Sequence, residues 1–192
     1  MVTANAGRML ASLLNEKRDA IITQWRSRIV DTYPSDSANF LTNRKNQFAN
    51  PVGHAIREQT EVLFDELVGG ESRSVLAQAL DKIIRIRAVQ EFTPAQATAF
   101  VYLLKDVIYE QVRGSLNDAR VATELRKLEG RIDRLALLAF DLYTLCRDQM
   151  AQIKVNEAKR RTYKMVDHLN RRGIDIDSLD NEDEDDNEEE KH

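Results

Sequence analysis

The stretch from Ile83 to Val107 constrains the fold most, because its pattern predicts two amphipathic helices joined by a short corner. Apolar residues recur at spacings of three and four on both sides of the corner. Thr93 can cap a helix with its hydroxyl, Pro94 needs no N–H at the first helical position, and Gln96 completes a capping box. The sequence therefore predicts a helical hairpin without a catalytic or ligand-binding motif.

Three further stretches show the same periodicity: residues 6–31, Pro51 to the Gly69-Gly70 pair, and residues 118–170. Asn50 is the expected N-cap of the second stretch, and Ser72 or Ser74 begins the helix that enters the corner. Only 7 glycines and 3 prolines are present, which is too few turn-forming residues for an all-β protein. We therefore expect an all-α bundle of about five helices with a long C-terminal helix.

Charge is distributed unevenly along the chain. The net charge is −4, yet residues 174–190 contain eleven acidic residues and no basic one. Residues 154–172 contain seven basic residues against two acidic ones. This pattern predicts a helical domain over residues 1–150, a basic helical arm over 151–173 and a disordered acidic tail over 174–192.

The sequence lacks the motifs of common enzyme and metal sites. There is no nucleophile elbow, phosphate-binding loop or dinucleotide fingerprint, and no pair of histidines has zinc-ligand spacing. The single cysteine, Cys146, lies among apolar residues and is expected to be a small buried hydrophobe. We expect no enzymatic activity, no metal and no cofactor; the alternative is a haem or small-ligand sensor that uses His54 as a ligand.

Neither a secretory signal nor a run of about 20 apolar residues is visible. One cysteine also excludes an internal disulfide framework and fits a reducing compartment. We therefore expect no membrane insertion and a cytoplasmic location.

Five basic residues are candidates for partner binding. Arg85 and Arg87 flank the apolar stripe at the end of the helix before the corner. They either stay solvated at the negative end of the helix dipole or form a polar rim that meets an acidic partner. Lys159, Arg160 and Arg161 lie on the basic arm, where they would contact a protein. Nucleic-acid binding by the arm is disfavoured, because the arm has one aromatic residue and the acidic run competes for its charges.

Several segments together suggest a family: Gln24–Pro34 (QWRSRIVDTYP), Ile84–Gln90 (IRIRAVQ), Phe92–Ala97 (FTPAQA), Arg131–Asp133 and Phe140–Tyr143. Over about residues 10–150 the sequence resembles the RsbRD-type N-terminal domain of bacterial co-antagonists of the RsbT switch kinase. The resemblance implies an all-helical domain, with globin-like packing as one option and no obligatory haem, that serves as an input or scaffold module. It transfers no catalytic residues. Full-length regulators carry a STAS output domain where this sequence has the arm and tail, so a stand-alone module is implied.

Together these features predict a non-enzymatic regulatory or sensory module that binds another protein in bacterial signalling. We also expect a homodimer, because the long helix has more apolar surface than one small domain needs. A further alternative is an accessory protein of a sulfur-metabolism redox complex, since stand-alone chains of this kind are similar to small proteins of anaerobic sulfur-metabolising bacteria.

Overall fold

In a computed structural model, the chain is described over residues 7–34, 50–70, 72–90 and 92–172. These ranges contain six α-helices and one 3₁₀ turn, with no strand, which confirms the all-α prediction. The helices are α1 (Gly7–Glu16), α2 (Arg18–Val30), α3 (Pro51–Val68), α4 (Arg73–Val89), α5 (Pro94–Val112) and α6 (Ala119–Arg171), with the 3₁₀ turn at Arg113–Ser115. The predicted acidic tail, residues 174–192, lies outside the described residues.

The helix starts follow the predicted capping chemistry. The Asn50 side chain accepts a hydrogen bond from the Gly53 amide at 2.8 Å, and Ser72 caps α4. At the corner, Thr93 Oγ1 accepts from the Gln96 amide at 3.3 Å, while Gln96 Oε1 accepts from the Thr93 amide at 3.0 Å. The capping box is therefore complete, and it satisfies two amides that the helix itself leaves unpaired.

The first predicted helix is two helices in the structure. Lys17 separates α1 from α2, with φ −101° and ψ 9°. Its ammonium donates a 2.5 Å hydrogen bond to the Gln111 carbonyl at the end of α5. The Lys17 side chain is half-buried, and its ammonium group is bonded to a carbonyl of the bundle.

The core of the bundle is built from α2 to α5, with α3 against α4 and α2 against α5. The only tryptophan, Trp25, is fully buried on α2. Its indole Nε1 donates to the Phe100 carbonyl at 2.7 Å, and its ring stacks on the Phe100 ring with centroids 6.4 Å apart. These contacts join the middles of α2 and α5.

The chain divides into two compact units, residues 1–147 and 148–192. The first unit contains the buried core, including the α6 stripe that ends at Tyr143 and Cys146. Cys146 is buried, as predicted. In the second unit, the described residues continue α6 to Arg171, and most of their side chains are exposed.

Candidate functional site

The most unusual side chain of the bundle is Arg87, in the last turn of α4. It is fully buried, at 0 % exposure, and its guanidinium lies among three aromatic rings. The guanidinium carbon is 4.2 Å from the centroid of Phe92, 5.0 Å from that of Tyr33 and 5.7 Å from that of Phe100. Ring faces carry partial negative charge, so they partly replace the counter-ion that a buried cation requires.

The polar contacts of Arg87 join three parts of the bundle. Its Nη2 donates to Thr32 Oγ1 at 2.9 Å, just after α2, and to the Gln96 carbonyl at 3.1 Å, in the first turn of α5. The Thr32 hydroxyl in turn donates to the Ile29 carbonyl at 2.6 Å. One nitrogen thus ties α4 to the end of α2 and to the start of α5.

The remaining polar atoms of this cluster are unsatisfied. Within the described ranges, Arg87 Nε, Arg87 Nη1 and the Tyr33 hydroxyl make no hydrogen bond of normal geometry, although the Tyr33 hydroxyl lies close enough to the guanidinium to interact with it, and no carboxylate pairs with the guanidinium. Burial lowers the pKa of Arg87 and raises the pKa of Tyr33, with each group partly offsetting the other's shift. The guanidinium still stays charged near neutral pH. The bundle therefore holds a poorly compensated cation at the corner that the sequence analysis singled out.

The two arginines near the corner have different environments. Arg85 is exposed and donates to Asp81 Oδ2 at 2.7 Å, a bond that raises its pKa. The prediction that Arg87 either stays solvated or lines an accessible rim is wrong, because its side chain faces the core rather than solvent. Partner contact by Arg85 stays a prediction. Sequence reasoning does not identify the ring partners of Arg87, since Tyr33 lies more than fifty residues away and no local pattern indicates that the Phe92 ring meets the guanidinium.

Beside the corner, the first unit has an open apolar groove of about 610 Å³. It is lined by the first turns of α5 and by one aromatic residue each from α5 and α6: Thr93, Pro94, Ala95, Thr98, Ala99, Tyr102 and Phe140. Tyr102 and Phe140 are about half exposed. The Tyr143 hydroxyl donates to the Phe92 carbonyl at 2.5 Å, so α6 also contacts the loop that holds the Arg87 cluster.

The arm candidates lie on the exposed part of α6 in the second unit. Lys159, Arg160 and Arg161 all expose their side chains. Arg161 donates to Glu157 Oε1 at 2.6 Å, an exposed pair one helical turn away that contributes little to stability. Most of the basic charge of this segment is therefore available to a partner.

His54, the haem ligand of the alternative prediction, lies in the first turn of α3 and is half-buried. It does not line the groove. In the part of the chain that the structure describes, no group of three or more histidine, cysteine or acidic side chains is placed to hold a metal ion. The described helices also include none that is both long and apolar enough to cross a membrane.

Comparison with family models gives a match to the RsbT co-antagonist protein rsbRD N-terminal domain over residues 19–157. The chain belongs to this family. In the other two comparisons, no curated protein and no solved structure matches it. The match to the RsbRD N-terminal domain family begins inside α2 and covers the Arg87 cluster and the groove. The family indicates a regulatory, sensory module of stressosome-type signalling.

Proposed function

We propose that this chain is a non-enzymatic module that regulates signalling by binding another protein in the cytoplasm. The membership in the RsbRD N-terminal domain family carries the proposal. Two features of the described residues support it. The apolar groove beside the corner leaves Tyr102 and Phe140 uncovered, and the arm presents Lys159 and its neighbours to solvent. Both are surface features suited to a protein partner rather than to a reacting substrate.

The test is cross-linking with mass spectrometry in extract of the native bacterium, using the full chain and a chain that ends at residue 150. We expect one or more signalling proteins to be cross-linked to the full chain. Deletion of the gene should then change the transcriptional output under stress. If no protein is cross-linked and the output is unchanged, the proposal is refuted. A Soret band in chain purified with haem available would favour the haem-sensor alternative instead.

The proposal includes a homodimer. Leu137 and Leu145 are large apolar side chains on α6 of the first unit that do not line the groove, and they are 65 % and 58 % exposed. Such side chains are commonly covered by a second subunit. Sedimentation of the full chain should give a dimer, and Leu137→Glu should shift it toward monomer while Tyr163→Glu, on the arm, should not. A monomer at high micromolar concentration would refute the dimer.

A further inference from the structure

The second unit carries a seam along α6 that the function proposed so far does not use. Its residues follow the alternation of three and four that two paired helices require: Ala151, Val155, Ala158, Thr162, Met165 and Leu169. The first five are exposed, with Val155 at 47 % and Met165 at 64 %, and Leu169 is half-buried. The seam spans about 27 Å of helix and has no partner within the described part of the second unit. Small and apolar residues in this register are suited to a second helix that lies along them.

The positions that flank the seam carry only one sign of charge. In heptad terms, Val155, Thr162 and Leu169 occupy position a, and the other three seam residues occupy position d. The flanking e and g positions then hold Lys154, Lys159 and Arg161, together with Gln152, Val166 and His168, and no acidic residue. The two acidic residues of this segment, Glu157 and Asp167, lie outside the flanks and pair with Arg161 and Arg171.

This charge pattern disfavours a second copy of the chain on the seam. In a parallel pair, a g residue faces the e residue of the next heptad on the partner helix, which would set Lys154 against Lys159 twice. In an antiparallel pair, g faces g and e faces e, so Lys154 and Arg161 would face each other. Like charges repel in either orientation. The seam therefore discriminates by charge among the helices that could cover it.

We propose, building on the protein-binding function above, that this seam binds a helix of another protein with apolar a and d positions and glutamate or aspartate at e and g. Such a helix pairs its acids with Lys154, Lys159 and Arg161 while it covers Val155 and Met165. The chain's own residues 174–190 are an alternative occupant, because they carry acidic charge. They contain only three apolar residues, Ile174, Ile176 and Leu179, which is too few to cover a seam of this length. Arg160 occupies the outer position f, so it contributes least.

The test uses two synthetic three-heptad peptides that share valine at a and leucine at d. One carries glutamate at every e and g position and the other carries lysine. We expect the full chain to bind the glutamate peptide at least about tenfold more tightly in a fluorescence anisotropy titration, because each flanking pair changes affinity about twofold and all pairs change sign. The preference should shrink as salt is raised, since exposed charges are screened.

Neighbouring substitutions give the matched control. Lys159→Glu and Arg160→Glu make the same change in charge one residue apart, but only Lys159 flanks the seam. We expect Lys159→Glu to weaken binding of the glutamate peptide several-fold and Arg160→Glu to leave it nearly unchanged. Val155→Asp should abolish binding, whereas Ile153→Asp, at an exposed position off the seam, should not.

Four results of the peptide titrations would overturn the inference. These are equal binding of the two peptides, no binding of either, equal losses from Lys159→Glu and Arg160→Glu, and glutamate-peptide binding that appears only after residues 174–192 are removed. Loss of a sedimenting dimer in Val155→Asp would likewise show that a second copy covers the seam. Binding of duplex DNA that both charge reversals weaken equally would assign the arm to phosphates. If the peptides fail but cross-linking still finds a signalling partner, the proposed function stands without the seam.

Discussion

Replacing Arg87 with methionine tests whether the buried guanidinium stabilises the bundle. The side chain is fully buried and leaves Nε and Nη1 without a hydrogen-bond partner among the described residues. Methionine fills a similar elongated space and carries no polar group that needs a partner. Thr32 and Gln96 would lose one donor, but the Thr32 hydroxyl keeps its bond to the Ile29 carbonyl.

The expected effect follows from two sets of opposing contributions. Desolvating the guanidinium costs several kcal/mol, and each unpaired buried donor adds about 1–3 kcal/mol. Against this, the two hydrogen bonds of Nη2 contribute about 1.5–3 kcal/mol each, and the three ring contacts about 0.5–2 kcal/mol each. Because the two sets nearly cancel, we expect Arg87→Met to change the free energy of unfolding by less than about 2 kcal/mol, with stabilisation as the favoured sign. Arg87→Ala leaves a cavity among the rings and should cost about 3 kcal/mol or more.

The assay is urea unfolding of the full chain, followed by the fluorescence of Trp25, the only tryptophan. Arg85→Met is the matched control, since Arg85 lies two residues away on α4, is exposed, and has one ion pair with Asp81. It should change the free energy of unfolding by less than about 0.5 kcal/mol. A loss above about 3 kcal/mol in Arg87→Met, with Arg85→Met unchanged, would refute the reasoning. The guanidinium would then be a net source of stability.

Four other substitutions probe the corner and the bundle. Burial raises the pKa of Tyr33, so the native state keeps the phenol proton at a pH above 10, where the unfolded state loses it. The free energy of unfolding should therefore fall as pH rises past 10. Tyr33→Phe should reduce this fall in unfolding curves measured at pH 9 to 11. Thr93→Ala removes the hydroxyl half of the capping box and should lower the free energy of unfolding by about 1 kcal/mol; an unchanged value in urea unfolding would contradict the cap. Arg131 donates to the Gly70 carbonyl at 3.0 Å, just past the end of α3, so Arg131→Met should cost about 1–2 kcal/mol in urea at both low and high salt. Lys105→Met, which removes a part-exposed ion pair with Asp133, should cost less, and only at low salt.

Sequence reasoning succeeded where structure is decided locally. The Thr93–Gln96 capping box, the Asn50 cap and the helix stop after Val68 all depend on residues within one turn of each other. Their hydrogen bonds need no information from the rest of the chain, so residue type and spacing were enough. The prediction of Cys146 as a buried hydrophobe was confirmed for a related reason, since its neighbours on the helix already define the buried stripe.

The environment of Arg87 could not be predicted in this way. Its hydrogen-bond partner Thr32 and its ring partner Tyr33 are more than fifty residues away in sequence. On its own helix, Arg87 looks like a basic residue in a last turn, a position that normally stays solvated and favours the helix dipole. Only the tertiary contacts of Arg87 with Thr32 and Tyr33, just after α2, and with the first turn of α5 reveal that this turn is enclosed. The division of the first helix at Lys17 was missed for the same reason, since its ammonium bonds to a carbonyl 94 residues away.

These distant polar contacts also explain how the register between α2 and α5 is selected. Lys17 meets the Gln111 carbonyl, Trp25 meets the Phe100 carbonyl, and Thr32 meets Gln96 through Arg87. From the first contact to the last, the residue number rises on the α2 side and falls on the α5 side. The three contacts therefore define one antiparallel alignment of the two helices. Apolar stripes alone would tolerate a slip of one turn, about 5–6 Å, because a stripe repeats at that interval. Such a slip would break all three contacts at once and leave several buried polar groups without partners. The apolar pattern therefore determines that the two helices pack, and the few buried polar groups determine which residues meet.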